Sequence, residues 1–400
     1  MSDVYKDFEL TQAQLLEIAQ ALTAKILEGL HAPEQEVACL PTYIPGNASP
    51  QHGKALVLDF GGTNVRAALV ALDEGKLTIE KGPVVQAIPV TRGVAFKKDE
   101  FLDILGKLIA SLEPPAGLPL GYCFSYPADS TTDGDARLIK WTKGMAVEHT
   151  IDEKVGHMLT EHIAGYTPPV QCSGVTVVND TIASLMAGTV VEAADGYIGL
   201  IVGTGNNMAA VLDPDEMTKL PKELNWTAPL PVNFESGNFT PPHLTAWDDK
   251  MDAESDSAQH QRFEKAVSGV YLASVFKAAM PESSIDPAAG AKGVVDIAYN
   301  SDSATTEAER QLALQILTRS SQLVAASLAG VVVLLNDMHP RNSVCIVAEG
   351  GLFWGDPNYK TRTSETLQRL LAELGLGHIK VDIVSVDNAN ILGSIVSALS

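Results

Sequence analysis

Five residues of the octapeptide Asp59-Phe60-Gly61-Gly62-Thr63-Asn64-Val65-Arg66 are of types that bind phosphate, and a sixth, Asp59, is of a type that binds the metal ion phosphates carry. Gly61 and Gly62 let a ligand approach the main chain with no Cβ in the way, and successive N–H groups in a tight turn form an anion-binding concavity. Thr63 and Asn64 add side-chain donors, Arg66 adds a charged fork for phosphate oxygens, and Asp59 adds a carboxylate able to hold a hydrated Mg2+. An ordinary hairpin turn would explain the two glycines alone. The polar and charged residues around them favour phosphate. The segment is not a Walker A loop, which needs Gly-Lys-Ser/Thr, and no GxGxxG opens a helix here.

Gly203-Thr204-Gly205-Asn206-Asn207 is a second polar turn, equally an ordinary turn when taken alone. Beside the first it becomes a second clamp, so that two loops hold the β- and γ-phosphates of one nucleotide from opposite sides. Asn179-Asp180 lies where an apolar strand hands over to a helix, the position at which α/β sheets bind ligands. Asp180 there either caps the helix or stays ionised and accepts a hydroxyl proton late in phosphoryl transfer. Lys143 is either a solvated turn lysine or a group reaching the transferring phosphoryl, with Thr142 beside it for a sugar hydroxyl. Glu235 and Glu264 adjoin Phe234 and Phe263, on solvated surface or facing a ligand. The nine histidines show no metal-ligand spacing.

These residues need elements to position them. Thr11 and Gln14 predict a capping box, and Leu15, Ile18, Leu22 and Ile26 share one face of the helix that follows. Pro41, Pro45, Gly46 and Pro50 mark a loop and a candidate boundary. Strand, polar turn and strand occur at 55–72 and again at 198–212, a repeat that predicts two similar lobes, each giving one turn to a shared cleft. Residues 121–126 and 138–141 read as a strand pair joined through the Asp133-Gly134 turn signal. Further strands are expected at 175–178 and 344–347. Helices are expected at 181–187, 261–279, 306–336 and 391–399.

Composition narrows the classes. At 400 residues the chain exceeds what one hydrophobic core usually serves. Its 49 acidic against 28 basic residues give a net charge of −21, which repels nucleic acid and anionic lipid. The apolar run 323–335 is interrupted by Ser327 and is too short to span a bilayer. No secretory signal is visible at the start. Cys39, Cys123, Cys172 and Cys345 form no CxxC pair and read as reduced thiols in a cytoplasmic protein.

In their order along the chain, LDFGGTNVR (58–66), CFSYP (123–127), IKWTKG (139–144), VVNDT (177–181), IGLIVGTGNN (198–207), VNFESGNF (232–239) and FEKAVSGVYL (263–272) resemble the hexokinase family of sugar kinases. The likeness spans most of the chain. It implies an α/β, two-lobed, duplicated actin-like ATPase (ribonuclease H-like) fold with the active-site cleft between the lobes. The small lobe would be 54–179 plus 388–400, and the large lobe 1–53 plus 180–387. The implied reaction moves the γ-phosphoryl of Mg-ATP to the 6-hydroxyl of glucose or a similar hexose, with sugar closing the lobes. Ser125, Thr142, Lys143, Asn179, Asp180, Asn207, Glu235 and Glu264 would bind the hexose, with Asp180 as catalytic base and Lys143 also catalytic. Asp59, Gly61, Gly62, Thr63, Asn64, Arg66, Gly203, Thr204 and Gly205 would hold the ATP phosphates, and Asp59 would reach Mg2+ through water. Gly350 and Gly351 would lie toward the adenosine. A monomer or homodimer acting on hexose, without nucleic-acid or membrane partners, completes the expectation. The Cys-rich zinc motif of ROK-type sugar kinases is absent. Two segments depart from the family: Glu349-Gly350-Gly351 replaces Asp-Gly-Ser/Thr, and Asp387-Asn388-Ala389-Asn390 replaces a Ser/Gly-rich stretch. An idle sugar sensor would not need Asp59, Arg66, Lys143 and Asp180 together, and an actin- or chaperone-like ATPase would not need Glu235 and Glu264.

Overall fold

The computed structural model describes residues 3–46, 52–61, 64–91, 93–142, 144–300 and 305–400. Helix α1 (Gln12–His31) begins at Thr11, whose hydroxyl accepts from the Gln14 N–H while the Gln14 side chain accepts from the Thr11 N–H. The predicted reciprocal cap is thus present, and Leu15, Ile18, Leu22 and Ile26 are buried. After β1 (Leu40–Pro41) come β2 (Gly53–Phe60), β3 (Asn64–Asp73) and β4 (Lys76–Ala87), an antiparallel meander. Helix α2 (Lys98–Ala110) crosses over to β5 (Leu118–Phe124), which runs parallel to β2. A small hairpin, β6 (Ala128–Ser130) and β7 (Ala136–Leu138), precedes α3 (Val155–Ala164) and β8 (Cys172–Val178), which is parallel to β5. The first sheet therefore has the order β4-β3-β2-β5-β8.

Helix α4 (Asp180–Val191) leads to the second sheet, where β9 (Gly196–Val202), β10 (Asn206–Leu212) and β11 (Leu230–Asn233) form another antiparallel meander. A helical block follows: α5 (Ala246–Ala253), α6 (Arg262–Val267), α7 (Leu272–Ala279), α8 (Gly290–Tyr299) and α9 (Glu307–Met338). Then β12 (Ser343–Glu349) lies parallel to β9, and α10 (Gly351–Gly355) and α11 (Tyr359–Glu373) lead to β13 (Lys380–Val384), parallel to β12. Helix α12 (Ala389–Ala398) closes the chain. With β1 on the β11 edge, the order is β1-β11-β10-β9-β12-β13. Both sheets follow one plan, a meander with two parallel strands added on the far side of its first strand. The repeat legible at 55–72 and 198–212 is the opening of that longer unit.

Two expectations need correction. Asp133-Gly134 turns β6 into β7, not 121–126 into 138–141, because β5 is a central strand parallel to β2 and β8. The helix expected over 261–279 is two helices, α6 and α7, separated at Ser268–Tyr271, where the Gly269 N–H bonds to the Gly203 carbonyl. A helix turn there would have used that N–H internally.

Helix α9 is long and apolar enough to cross a bilayer by length and composition, yet 72% of its most apolar window is buried in the protein. It carries Arg319, fully buried and paired with both oxygens of Asp248 on α5. One apolar cluster fills the second sheet and its helices, and another fills the first sheet with α2 and α3. A third joins them: Ile182, Leu185 and Met186 of α4 and Ile391, Leu392 and Ile395 of α12 pack with Val57 and Val70 of one sheet and Val347 of the other. These two helices cross between the sheets at Gly393, where a Cβ would overlap the Ala183 carbonyl oxygen.

Candidate active site

The first polar turn joins β2 to β3, and register sets Asp59 opposite Arg66. Asp59 is 3% exposed, and its Oδ2 accepts from Arg66 Nε at 3.0 Å and from a second guanidinium N–H. The guanidinium fork is thus turned first on Asp59, with N–H groups left over for another anion. Asp59 Oδ1 accepts from the Asn390 amide at 3.4 Å, and the Cys123 thiol lies within hydrogen-bond reach of the same carboxylate. Asn390 belongs to the first turn of α12, within one of the segments that depart from the family pattern. An added Cβ at Gly61 would meet no described atom within 4 Å, and Asn64 begins β3 beyond the turn. Gly62 and Thr63 lie outside the described residues, as does Lys143.

The second turn joins β9 to β10. Gly205 faces Glu264, since a Cβ at 205 would stand 2.6 Å from Glu264 Oε2. That oxygen accepts the Asn206 N–H at 3.0 Å. Gly205 therefore makes room for a carboxylate of the sugar-side set, a role its phosphate assignment did not include. Gly350 has φ +117°, and a Cβ there would overlap the Val202 carbonyl oxygen, so only glycine fits. Gly203, Thr204 and Gly351 line one cavity of about 1410 Å³ together with Gly269, Val270 and Ala289. Gly203 and Thr204, assigned to phosphate, and Gly351, assigned to adenosine, thus share a pocket with room for a nucleotide, whereas Gly205 and Gly350 do not line it.

On the sugar side the structure assembles a relay of amides. Asn207 Nδ2 donates to Asn233 Oδ1 at 2.7 Å, and Asn233 Nδ2 donates to Glu235 Oε1 at 2.7 Å. Asn207 Oδ1 accepts from the Ser236 N–H at 3.2 Å. Glu235 is held in the left-handed region at φ 54°, a conformation few non-glycine residues adopt. Asn233 is the member that sequence reasoning missed. Its signal was available, because it ends a strand two residues before Glu235. Across the cleft, Asn179 caps α4 by accepting the Thr181 N–H at 2.9 Å. Asn179, Asn233, Glu235 and Phe124 line one small cavity. Asp180 is the first residue of α4 and not its cap, with Oδ1 accepting from the Thr181 N–H at 2.8 Å. Ser125 follows β5, its N–H bonded to the Phe60 carbonyl at 3.2 Å. Thr142 is half-buried and follows Trp141, whose ring packs 4.8 Å from Tyr126 and whose Nε1 donates to Thr150 at 2.9 Å.

Two hexokinase family models match residues 1–190 and residues 197–291 with 289–400. The chain belongs to the hexokinase family. It is a phosphoryl-transferring enzyme with a sugar acceptor. Hexokinase-1 of Schizosaccharomyces pombe is 28% identical over 453 residues, covering 100% of this chain and 90% of that protein. The structure of Schistosoma mansoni hexokinase complexed with glucose superposes with a TM-score of 0.76 at 20% identity, covering 99% of this chain and 97% of the other. A ROK family glucokinase from Streptomyces griseus, in complex with glucose and AMPPNP, gives 0.54 at 16% identity over 86% of this chain and 98% of the other. The two-lobed actin-like fold expected from the sequence is the one found.

One hexokinase-family departure has electrostatic weight. Glu349 ends β12, and burial pushes its carboxyl up to about 7, with Asp59, Asp180 and Asp387 adding to the rise and Arg66 opposing it. Nothing in the sequence flagged Glu349 beyond its replacing an Asp. The donor chemistry suits Mg2+, a hard cation that takes carboxylate oxygens such as those of Asp59. Among the described residues no group of three His, Cys, Asp or Glu converges as a direct metal cage.

Proposed function

We propose that the protein transfers the γ-phosphoryl of Mg-ATP to the 6-hydroxyl of glucose or a similar hexose, with Asp180 as the catalytic base. The observation that carries this reading is the position of Asp180. Its neighbour Asn179 shares a cavity with the sugar-side Asn233 and Glu235, while Asp180 itself acts electrostatically on Glu349, which also feels Asp59 and Arg66 of the first phosphate turn. A hydroxyl bound between Asn179 and Glu235 would meet the transferring group next to Asp180. Asn179 takes over the capping of α4, and Asp180 Oδ2 accepts no hydrogen bond among the described residues, so it is available to a substrate hydroxyl.

In this mechanism Asn207, Asn233 and Glu235 orient the hexose through two linked amides and the carboxylate they end on, and Glu264 closes the far side. Arg66 and the backbone of both turns hold the phosphates, and bound Mg2+ would neutralise charge on the β- and γ-phosphoryl oxygens. Asp180 orients the hydroxyl and takes its proton late. The small lobe, 54–179 with 388–400, and the large lobe, 1–53 with 180–387, would close on sugar and exclude water. The test is ADP release from Mg-ATP with and without glucose. Strong stimulation by glucose, with glucose 6-phosphate as product, is expected. A rate independent of added hexose would overturn the reading.

A further inference from the structure

The wall of the large cavity is anchored by a buried ammonium. Lys265, 1% exposed, is bound by Asp252 Oδ1 at 2.6 Å and donates to Ser255 Oγ at 2.8 Å and to the Ser257 carbonyl at 2.7 Å. All three of its donors are used. Asp252, 3% exposed, accepts the Gln259 N–H on its other oxygen at 2.8 Å. Residues 254–261 contain turns and bends but no helix or strand, with left-handed backbone at Gln259 and Gln261. The ion pair therefore sets the shape of this loop. Glu254, Ser255, Asp256 and Ser257 of the same loop line the cavity of about 1410 Å³ that Gly203, Thr204 and Gly351 also line.

Lys265 sits on α6, a helix of six residues with no side-chain cap at its start. The preceding residue, Glu264, accepts the Asn206 N–H and belongs to the sugar-side set. One short helix thus carries a hexose-side carboxylate and, on the next residue, the ammonium that fastens the wall of the donor cavity. So short a helix gains little rigidity from its own hydrogen bonds, and its position follows its packing partners.

We propose that Lys265 is a positioning residue that couples the two substrates, passing the occupancy of the nucleotide cavity from loop 254–257 to Glu264 through α6. This rests on the hexokinase reading of the site. A nucleotide that settles the loop also settles Glu264, and hexose affinity rises. Linkage requires the reciprocal effect on nucleotide affinity.

The test is calorimetric titration of glucose into the full chain, with and without a saturating non-hydrolysable ATP analogue. Removing Lys265 alone would leave the buried Asp252 carboxylate with only Arg262, 3.6 Å away, as counter-charge, so Asp252→Asn with Lys265→Met removes both charges of the pair together. Ser255→Ala keeps the ion pair and cuts one strap from the loop. In the wild type the analogue should tighten glucose binding at least about fivefold, the low end of ordinary couplings. In the double variant the effect should fall below about twofold while glucose alone binds within about threefold of wild type. Ser255→Ala should show a partial loss, which keeps the proposal decidable if the double variant does not fold. Coupling that survives in the variants, or glucose affinity lost with coupling intact, would overturn it. A wild type that phosphorylates glucose without coupling sinks this proposal alone; one that neither binds nor phosphorylates glucose sinks the hexokinase reading with it.

Discussion

Asp180 and Glu349 are acidic residues of one cleft with different prospects. Since Asn179 caps α4, Asp180→Asn leaves the cap in place and should change stability by well under the ~1 kcal/mol typical of a lost cap. Turnover should fall by roughly 10²–10⁴, the usual range for a positioned acid or base, with glucose binding weakened but retained. A melting curve, a glucose titration and a coupled ADP assay on one preparation check this. Near-normal turnover would remove Asp180 from the chemistry. Glu349 bears on pH. Its carboxyl is raised from 4.5 to about 7, chiefly by burial. Below 4.5 it is protonated in both folded and unfolded chain; between there and about 7 only the unfolded chain gives up the proton. The stability contributed by the neutral form is therefore lost as pH rises through about 7. Glu349→Gln should raise the melting temperature at pH 8 and leave it nearly unchanged at pH 4. Equal shifts at both pH values would exclude titration as the cause.

Among the elements, the crossing of α4 and α12 is the most constrained contact between the two halves. Gly393 has no side chain because the Ala183 carbonyl occupies that space, and a Cβ at Gly121 of β5 would likewise overlap the Ser394 carbonyl oxygen. Gly393→Ala must push the helices apart at a point three residues from the proposed base. A stability loss of about 1–3 kcal/mol is expected from such overpacking, read by denaturant unfolding. Unchanged stability would show that the helices separate freely there. The break between α6 and α7 has a comparable logic. The backbone bond from Gly269 to Gly203 anchors the helix break to the second polar turn.

For the molecule as a whole, the two sheets are joined through a shared apolar layer built on α4 and α12, while the polar turns sit at the ends of β2 and β9. On the proposed closure, the halves would rotate about this layer and leave each of their own cores covered. Saturating glucose should reduce the radius of gyration in small-angle scattering, and ATP hydrolysis without sugar should run far slower than transfer to sugar. An unchanged scattering profile in a glucose-saturated, active protein would exclude closure as the device that keeps water from the phosphoryl group.

The sequence alone determined the local chemistry: the capping box at Thr11, both polar turns, the strand-to-helix position of Asp180, and the repeat that announces two lobes. These are legible because turn glycines, caps and apolar periodicity act over a few residues. Strand β4 was missed because it is a mostly exposed edge strand containing Pro83, with no apolar run to reveal it. Asn233 and Glu349 were not singled out as site residues, since their importance comes from partners 26 residues away in one case and from carboxylates of both halves in the other. Tertiary structure decided that Arg66 pairs with Asp59, that Gly205 makes room for Glu264, and that Lys265 lies buried and bound to the loop that lines the large cavity. Each of those depends on which distant backbone segments pack together, and burial then fixes the partners that buried charges must find.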